Sequence, residues 1–288
     1  MKQGYATTGY GKLRSVLLCK PTFYEFMPVN ETAKSHLEKG ERLDRERAFR
    51  EHQNLADAIS GTGAEIVWVE PNKNMPYQVF TRDLGATTAA GALLGPFTFP
   101  IRYGEEDVAT PFIEKVVPLW KKIPPQDGVV FEGGDFMYMN DHTVALGNGA
   151  RTTPKGTEIV TDLMAKIDVE VICVPFDPLF CHIDMIFNVV AERVCVACVS
   201  ALPAEFLSRL KAEKWDIVET TPKDVLALLG NLLAVDPGVV ISPAHNKRIN
   251  AELRALGVKI IEVELEELLK GGGGPHCMTF PLLREPAS

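Results

Sequence analysis

The chain has 288 residues, 46% of them apolar and 24% charged, and its 30 Lys and Arg against 38 Asp and Glu give a net charge of −8. These proportions exclude a disordered chain, and the length allows a sizeable core. The acidic balance argues against a general nucleic-acid binder, since phosphate is repelled, and favours a small cationic partner.

In chain order, the apolar run Ser15–Cys19 predicts a buried strand. Over Leu43–Ile59, residues Ala48, His52, Leu55, Ala56 and Ile59 share one helical face, and Gly61-Thr62-Gly63 stops the helix before a strand at Glu65–Val69. Val79–Arg82 and Ala86–Leu94 read as further strands, and Glu105–Lys122 as one helix broken by Pro124-Pro125. Phe136–Met139 and Thr143–Leu146 flank Asn140-Asp141-His142, a hairpin signal. A helix at Thr157–Ile167 precedes a strand at Glu170–Val174, and His182–Val190 and Arg193–Val199 read as paired strands. Then come a helix at Pro203–Glu213, an extended Ile217–Thr220, a helix at Lys223–Leu229, strands at Leu232–Val235 and Val239–Ser242, a helix at Asn246–Leu256 (Asn246 a candidate cap), and strands at Lys259–Val263 and Met278–Leu282. A unit of about three strands and a helix recurs, and no linker divides the chain. The expectation is one α/β domain over residues 1–288. The doubly wound parallel sheet is the ordinary alternative, but the hairpin signals imply antiparallel pairing and no GxGxxG follows the first strand.

No stretch approaches the roughly 18 apolar residues of a membrane-spanning helix, and the N-terminus lacks the apolar run of an export signal, so no membrane association is expected and cytoplasm is the default compartment. Of six cysteines, at 19, 173, 181, 195, 198 and 277, most are then expected as buried thiols, and a disulfide framework is not expected. Cys195 and Cys198 have CxxC spacing, but on a strand they face opposite sides and no second pair exists, so neither zinc nor a redox site is expected. His36, His52, His142 and His245 have no visible partner and read as solvated or capping. No P-loop or other cofactor motif is present; no cofactor and no metal are expected.

Four segments carry chemistry. In Phe80-Thr81-Arg82-Asp83 a carboxylate at a strand end either grips a cation or forms a surface salt bridge. In Phe131-Glu132-Gly133-Gly134-Asp135 two acids flank a glycine pair, facing one space or merely closing a solvated turn. In His182-Ile183-Asp184, residues two apart on a strand share a face, which suits a site or a structural His–Asp bond. Gly271–Gly274 before Pro275-His276-Cys277 is either a floppy connector or a loop that must pass close to a ligand. Cys277, at the loop–strand junction, is expected to be more accessible than the strand cysteines, and His182 to be a better partner for it than adjacent His276.

These segments, in this order, resemble the guanidino-group-modifying enzymes: arginine deiminase, dimethylarginine dimethylaminohydrolase, arginine dihydrolase and the amidinotransferases. The resemblance spans Phe80 to Cys277, and the repeat units extend over nearly the whole chain. It implies the pentein fold, a five-bladed α/β propeller of ββαβ-type units. It also implies Cys277 as nucleophile, His182 as general acid and base, Glu132 orienting the histidine, Asp83 and Asp184 gripping the guanidinium, and Phe80 lining its pocket, with Asp135 of the same EGGD segment counted among the substrate-binding positions. In arginine deiminases an Arg follows the FTRD aspartate by nineteen residues and another follows the EGGD glutamate by nineteen. Here these are Arg102 and Arg151, expected on a substrate α-carboxylate. The length leaves no room for the deiminases' helical insertion, and Pro76-Tyr77-Gln78-Val79 replaces the asparagines they carry before FTRD. Asn30 reads as a turn residue within reach of a substrate amino group. The function implied is hydrolysis of a C–N bond in arginine or an N-methylated arginine through a covalent cysteine adduct. Amidino transfer to an amine is second, and a non-catalytic binding protein third, opposed by the presence of Cys277, His182 and Glu132 together. A homodimer is implied only by the resemblance.

Overall fold

The computed structural model describes residues 5–286, so the stretch read above for an export signal lies almost wholly outside it. The chain runs through β1 (Leu13–Cys19), α1 (Glu31–Glu38), α2 (Arg45–Ser60) and β2 (Glu65–Val69), then β3 (Gly85–Thr88), β4 (Gly91–Leu94), α3 (Glu105–Ile113) and β5 (Leu119–Lys122). Next come β6 (Phe136–Tyr138), β7 (Thr143–Asn148), α4 (Pro154–Ala165) and β8 (Glu170–Pro175), followed by α5 (Ile183–Ile186), β9 (Phe187–Ala191), β10 (Val194–Ala197), α6 (Ala204–Ala212) and β11 (Asp216–Glu219). The last turn of the pattern is α7 (Pro222–Leu226), β12 (Leu233–Asp236), β13 (Val239–Pro243), α8 (Lys247–Ala255) and β14 (Lys259–Val263), and the chain ends in β15 (Phe280–Arg284).

The strands form five three-stranded sheets, in the orders β15-β1-β2, β3-β4-β5, β6-β7-β8, β9-β10-β11 and β12-β13-β14. Each joins its first two strands antiparallel and adds the third parallel after a helical crossover. Four sheets are continuous in sequence. The remaining one takes its first strand, β15, from the C-terminal end, so the last strand closes the ring against β1. This is the five-bladed pentein propeller.

Burial follows the blade. β3, β4, β6, β9 and β10 are buried at every position, whereas the third strands β2, β5, β8, β11 and β14 mix exposed and half-buried positions with few buried ones. Strands covered on both faces need no polar alternation, which is why they read as plain apolar runs. First strands of successive blades lie side by side, β15 by β3, β6 by β9 and β9 by β12. Their unpaired edge carbonyls are met by buried side chains: Thr87 Oγ1 donates to Pro281 O (2.7 Å), Asn188 Nδ2 to Leu232 O (2.9 Å) and Arg284 Nη2 to Ala234 O (2.8 Å).

Several expectations are corrected. Glu105–Lys122 is not one helix. It ends at Ile113, Pro118 bars its continuation, and Pro118 O accepts from Ala92 N (2.9 Å) as β5 enters the sheet. Val79–Arg82 is not a strand. Thr81–Leu84 is a 3-10 turn whose groups bond elsewhere, Arg82 N to Cys277 O (3.0 Å) and Thr81 Oγ1 to Leu17 O and Met278 O (3.1 and 3.0 Å). The first part of His182–Val190 is also a turn, because Cys181 takes a left-handed conformation (φ 62°) and Ile183 N turns inward to Asp135 Oδ1. His52 is buried, not solvated, with burial depressing its pKa to about 4. His36 pairs with Glu41 (3.1 Å). Cys173, on the half-covered β8, is exposed, while Cys277 is buried. Asn246 stands at the start of α8 without capping it, as its Nδ2 donates to Leu229 O (2.7 Å).

Candidate active site

The turn before the first strand of each blade performs one task in all five repeats. It delivers polar side chains to a common point: Asp83 before β3, Glu132 and Asp135 before β6, His182 and Asp184 before β9, Asn231 before β12 and Cys277 before β15. All seven are at most 5% exposed.

His182 is the hub. Its Nε2 lies 2.9 Å from Glu132 Oε2, and its Nδ1 lies 3.7 Å from Asp83 Oδ1 and 3.6 Å from Cys181 Sγ. Burial by itself would lower the pKa of the ring, but Cys181, Asp83 and Glu132 outweigh it and raise it well above the ordinary value, so the imidazole is held protonated. Glu132 is fixed from three sides: by His182, by Arg151 Nη1 (3.0 Å) and by Thr98 N, which donates to Oε1 (2.8 Å). Burial opposes its ionisation, but Arg151 and His182 prevail and its pKa is lowered. Glu132 is thus an anion that holds Nε2–H and leaves Nδ1 facing the cluster.

Cys277 Sγ lies 3.3 Å from Asp184 Oδ2 and accepts from Asn231 Nδ2 (3.1 Å), while Asn231 Oδ1 accepts from Cys277 N (3.1 Å). Burial, then Asp184 and Asp83, push the pKa of Cys277 well up, so it rests as a thiol whose S–H donates to Asp184. Asp184 Oδ2 also accepts from His276 Nδ1 (2.7 Å). Burial drives the pKa of His276 down to about 4, so it is a neutral donor. Burial opposes the ionisation of Asp184, and the bond from His276 leads the effects that lower its pKa.

The glycine run is close-packed, not floppy. A Cβ on Gly271 would fall 1.4 Å from Tyr24 OH, and one on Gly273 would fall 2.3 Å from the Phe80 ring and 3.0 Å from Cys277 Cβ. Asn30 caps α1 through Ala33 N (2.8 Å) and ties the loop down by donating to Gly271 O (2.9 Å). Phe80, wedged edge-on against Tyr24, therefore shares the Gly273 wall with the thiol.

The structure thus brings Cys277, His182, Glu132, Asp83, Asp184 and Phe80 together. Asp135 stands behind them. Its Oδ1 accepts from Ile183 N (3.0 Å), supporting the turn that carries His182 and Asp184, and burial raises its pKa to about 7. Arg102 and Arg151 face inward rather than standing apart as free cations. Arg102 pairs with Asp83 Oδ2, bonds Glu105 (3.1 and 2.8 Å) and donates to Phe80 O (2.9 Å). Arg151 holds Glu132 and Val29 O (2.7 Å). Each guanidinium covers an aromatic face, Arg102 on Phe97 and Arg151 on Phe99 (4.3 and 4.6 Å).

Sequence reasoning missed Asn231, His276, Cys181 and Glu105. Asn231 had a signal, its place just before β12, which matches the other four turns once the blades are known.

Ligand atoms of Asp83, Glu132 and His182 lie within 4.8 Å of one another. As a metal site they fit poorly, because both acids are paired with arginines. Asp83 Oδ1 and Asp184 Oδ1 are buried carboxylate oxygens without a hydrogen-bond partner among the described residues, as is Oδ2 of Asp135 behind them. Such charge calls for a cation with N–H donors.

Residues 23–284 match the family described as N,N dimethylarginine dimethylhydrolase, eukaryotic. The chain belongs to this family. The dimethylarginine dimethylhydrolase family sits within the pentein guanidino-modifying enzymes. This member is 29% identical to the YkgA protein of Bacillus subtilis over 277 residues, 96% of this chain and 94% of YkgA. It is 26% identical to the arginine deiminase of Limosilactobacillus reuteri over 257 residues, 73% of this chain but 62% of that enzyme. Among solved structures, the N-terminal domain of ArgZ, a cyanobacterial arginine dihydrolase bound to product, superposes with TM-score 0.82 at 23% identity, covering 95% of this chain and 98% of that one. The dimethylarginine dimethylaminohydrolase of Pseudomonas aeruginosa complexed with citrulline superposes with TM-score 0.78 at 20% identity, covering 93% and 99%. These two likenesses carry the pentein fold.

Proposed function

We propose that the protein hydrolyses a C–N bond of a guanidino amino acid, L-arginine or an N-methylated arginine, through a covalent adduct on Cys277. The observation that carries this reading is the pair of buried, unpartnered oxygens on Asp83 and Asp184 beside a thiol and a protonated imidazole. A planar, permanently charged guanidinium offers N–H groups to both acids at once, which fixes its plane and leaves one face to sulfur.

Arg102 already sets a guanidinium on Asp83 Oδ2. The substrate takes over that carboxylate, and Arg102, still held by Glu105, is released toward the substrate α-carboxylate, with Arg151 as the second cation there. The substrate's charge next to Cys277 reverses the effect of the acids on the thiol, which loses its proton to solvent. The thiolate attacks the guanidinium carbon. His182 Nδ1–H protonates the departing nitrogen, the C–N bond breaks, and ammonia or a methylated amine leaves. A water then gives a proton to His182, adds to the amidino carbon, and expels the Cys277 sulfur to release a ureido product. Glu132 keeps the imidazole oriented and stabilises its charge throughout.

The test incubates wild type and Cys277→Ser with L-arginine and with N-methylated arginines, and measures ammonia, methylamines, citrulline and ornithine together. Consumption of one substrate by wild type and none by Cys277→Ser supports the reading, and the products name the reaction. Equal activity of the two proteins overturns it.

A further inference from the structure

Apart from the carboxylate cluster, a cavity of about 30 Å³ is lined by Arg82, Tyr138, His276 and Arg284, with Thr8, Thr87 and apolar groups completing it. No Asp or Glu lines it among the described residues. Both arginines are more than nine-tenths buried, at 8% and 4% exposure. Among the described residues their hydrogen bonds go only to main-chain carbonyls: Arg82 Nε reaches His276 O at 3.5 Å, and Arg284 donates to Gly11 O (2.6 Å) and Ala234 O (2.8 Å). The Tyr138 hydroxyl is buried without a partner. Burial lowers the pKa of Arg82 to about 10 and that of Arg284 to about 9, with Arg82 adding repulsion to the latter, yet both stay charged at neutral pH.

Two buried positive charges and an orphaned O–H donor around one small space form an anion site. Asp184, then Cys277 and Asp83, favour the charge of Arg82 from beyond the cavity, but no described carboxylate bonds either guanidinium, and two such buried charges facing one space favour something negative between them. The volume is small. It exceeds the roughly 10–15 Å³ that a single water requires, so a small spherical ion fits, and the sulfate arm of the test below reads whether a larger oxyanion enters. We propose that this cavity binds a halide, chloride in ordinary ionic media, held by Arg82, Arg284 and the Tyr138 hydroxyl. His276 is the wall it shares with the cluster, since its Nδ1 donates to Asp184, the acceptor of the Cys277 thiol. Arg82 lies within electrostatic reach of Cys277 and favours its thiolate. A bound halide cancels that charge, so chloride makes Cys277 harder to ionise.

The test uses the full chain exchanged into gluconate salts, and so does not depend on the substrate reading. Chlorine NMR linewidth is followed as chloride is added at constant ionic strength. The expected result is a protein-dependent broadening that saturates, is displaced by bromide and is untouched by sulfate. Tyr138→Phe, which keeps the ring packing, is expected to weaken chloride several-fold, and Arg82→Gln to abolish saturation if it folds. Iodoacetamide alkylation of Cys277 reads the coupling. Chloride should shift its pH profile upward by about half a unit in wild type, less than the roughly 1–3 units of a direct ion contact, and Tyr138→Phe should need several-fold more chloride for the same shift. Absence of saturable broadening, or identical affinity in wild type and Tyr138→Phe, overturns the site. Binding that leaves alkylation unchanged overturns the link to Cys277.

Discussion

In the proposed mechanism Cys277 becomes a nucleophile only when a substrate is bound. Burial and two acids hold it as a thiol, and only an incoming cation reverses their effect. The free protein should therefore show no ultraviolet thiolate absorbance assignable to Cys277 at neutral pH, measured as wild type minus Cys277→Ser across a pH titration. A neutral-pH thiolate in that difference would contradict the substrate-assisted step. Asp135 gives a stability test. Unfolded, it ionises near its ordinary 3.8; folded, burial raises this to about 7. Below the lower value both states are protonated and the group costs nothing. Between the two, the unfolded chain releases a proton the native state keeps, so stability falls as pH rises, and the loss is complete above the folded value. Asp135→Asn keeps an acceptor for Ile183 N and removes the ionisation. Its thermal stability should match wild type near pH ~4 and exceed it by on the order of 2–4 kcal/mol near pH ~8, whereas parallel curves would sink the assignment. At this scale the sequence was informative where a residue's chemistry is rare: acids beside glycines, a His two from an Asp, a Cys after four glycines. It was silent on Asn231 and His276, because an amide and a neutral imidazole acquire their roles only from what the ring sets beside them.

The elements that matter most are turns. Each blade's first strand is entered by a tight turn whose polar groups point to the axis, and the glycine loop before Cys277 is packed until no side chain fits. Gly273→Ala should push Phe80 and Cys277 apart, destabilising the protein by about 1–3 kcal/mol as overpacking does and lowering kcat/KM more than this loss of stability explains. Unchanged melting and turnover would show that the wall is soft. Asn30→Ala removes both the α1 cap and the tie to Gly271, and thermal unfolding should register a loss of about 1 kcal/mol or more. Helices and apolar strands were legible from periodicity, and α2 falls within two residues of its expected start. The turns of the candidate site at Thr81–Leu84 and Ile183–Ile186 were not, because short apolar stretches carry no period and their conformation is set by bonds to other blades.

The whole ring is closed by β15, which supplies the first blade's inner strand and carries Cys277 just ahead of it. Side-chain bonds between inner strands replace the missing sheet hydrogen bonds across the seam. Thr87→Val leaves Pro281 O buried without its donor and should cost about 1–3 kcal/mol in denaturant unfolding. No measurable change would mean that the seam is held by packing alone. The repeat of strands and helices, with its hairpins, suggested antiparallel pairs joined by crossovers. It did not reveal a ring, because pairing of the first strand with the last leaves no local trace; the five blades came from the family resemblance. That same closure explains how acids, a histidine, an amide and a thiol from five distant segments meet at one point.

Intact-protein mass spectrometry of acid-quenched turnover tests this most directly. With L-arginine or an N-methylated arginine in excess, wild type should carry a transient added mass on the peptide containing Cys277, and Cys277→Ser should carry none and release no product. Turnover without any such adduct, and undiminished in Cys277→Ser, would show that the thiol is not the nucleophile.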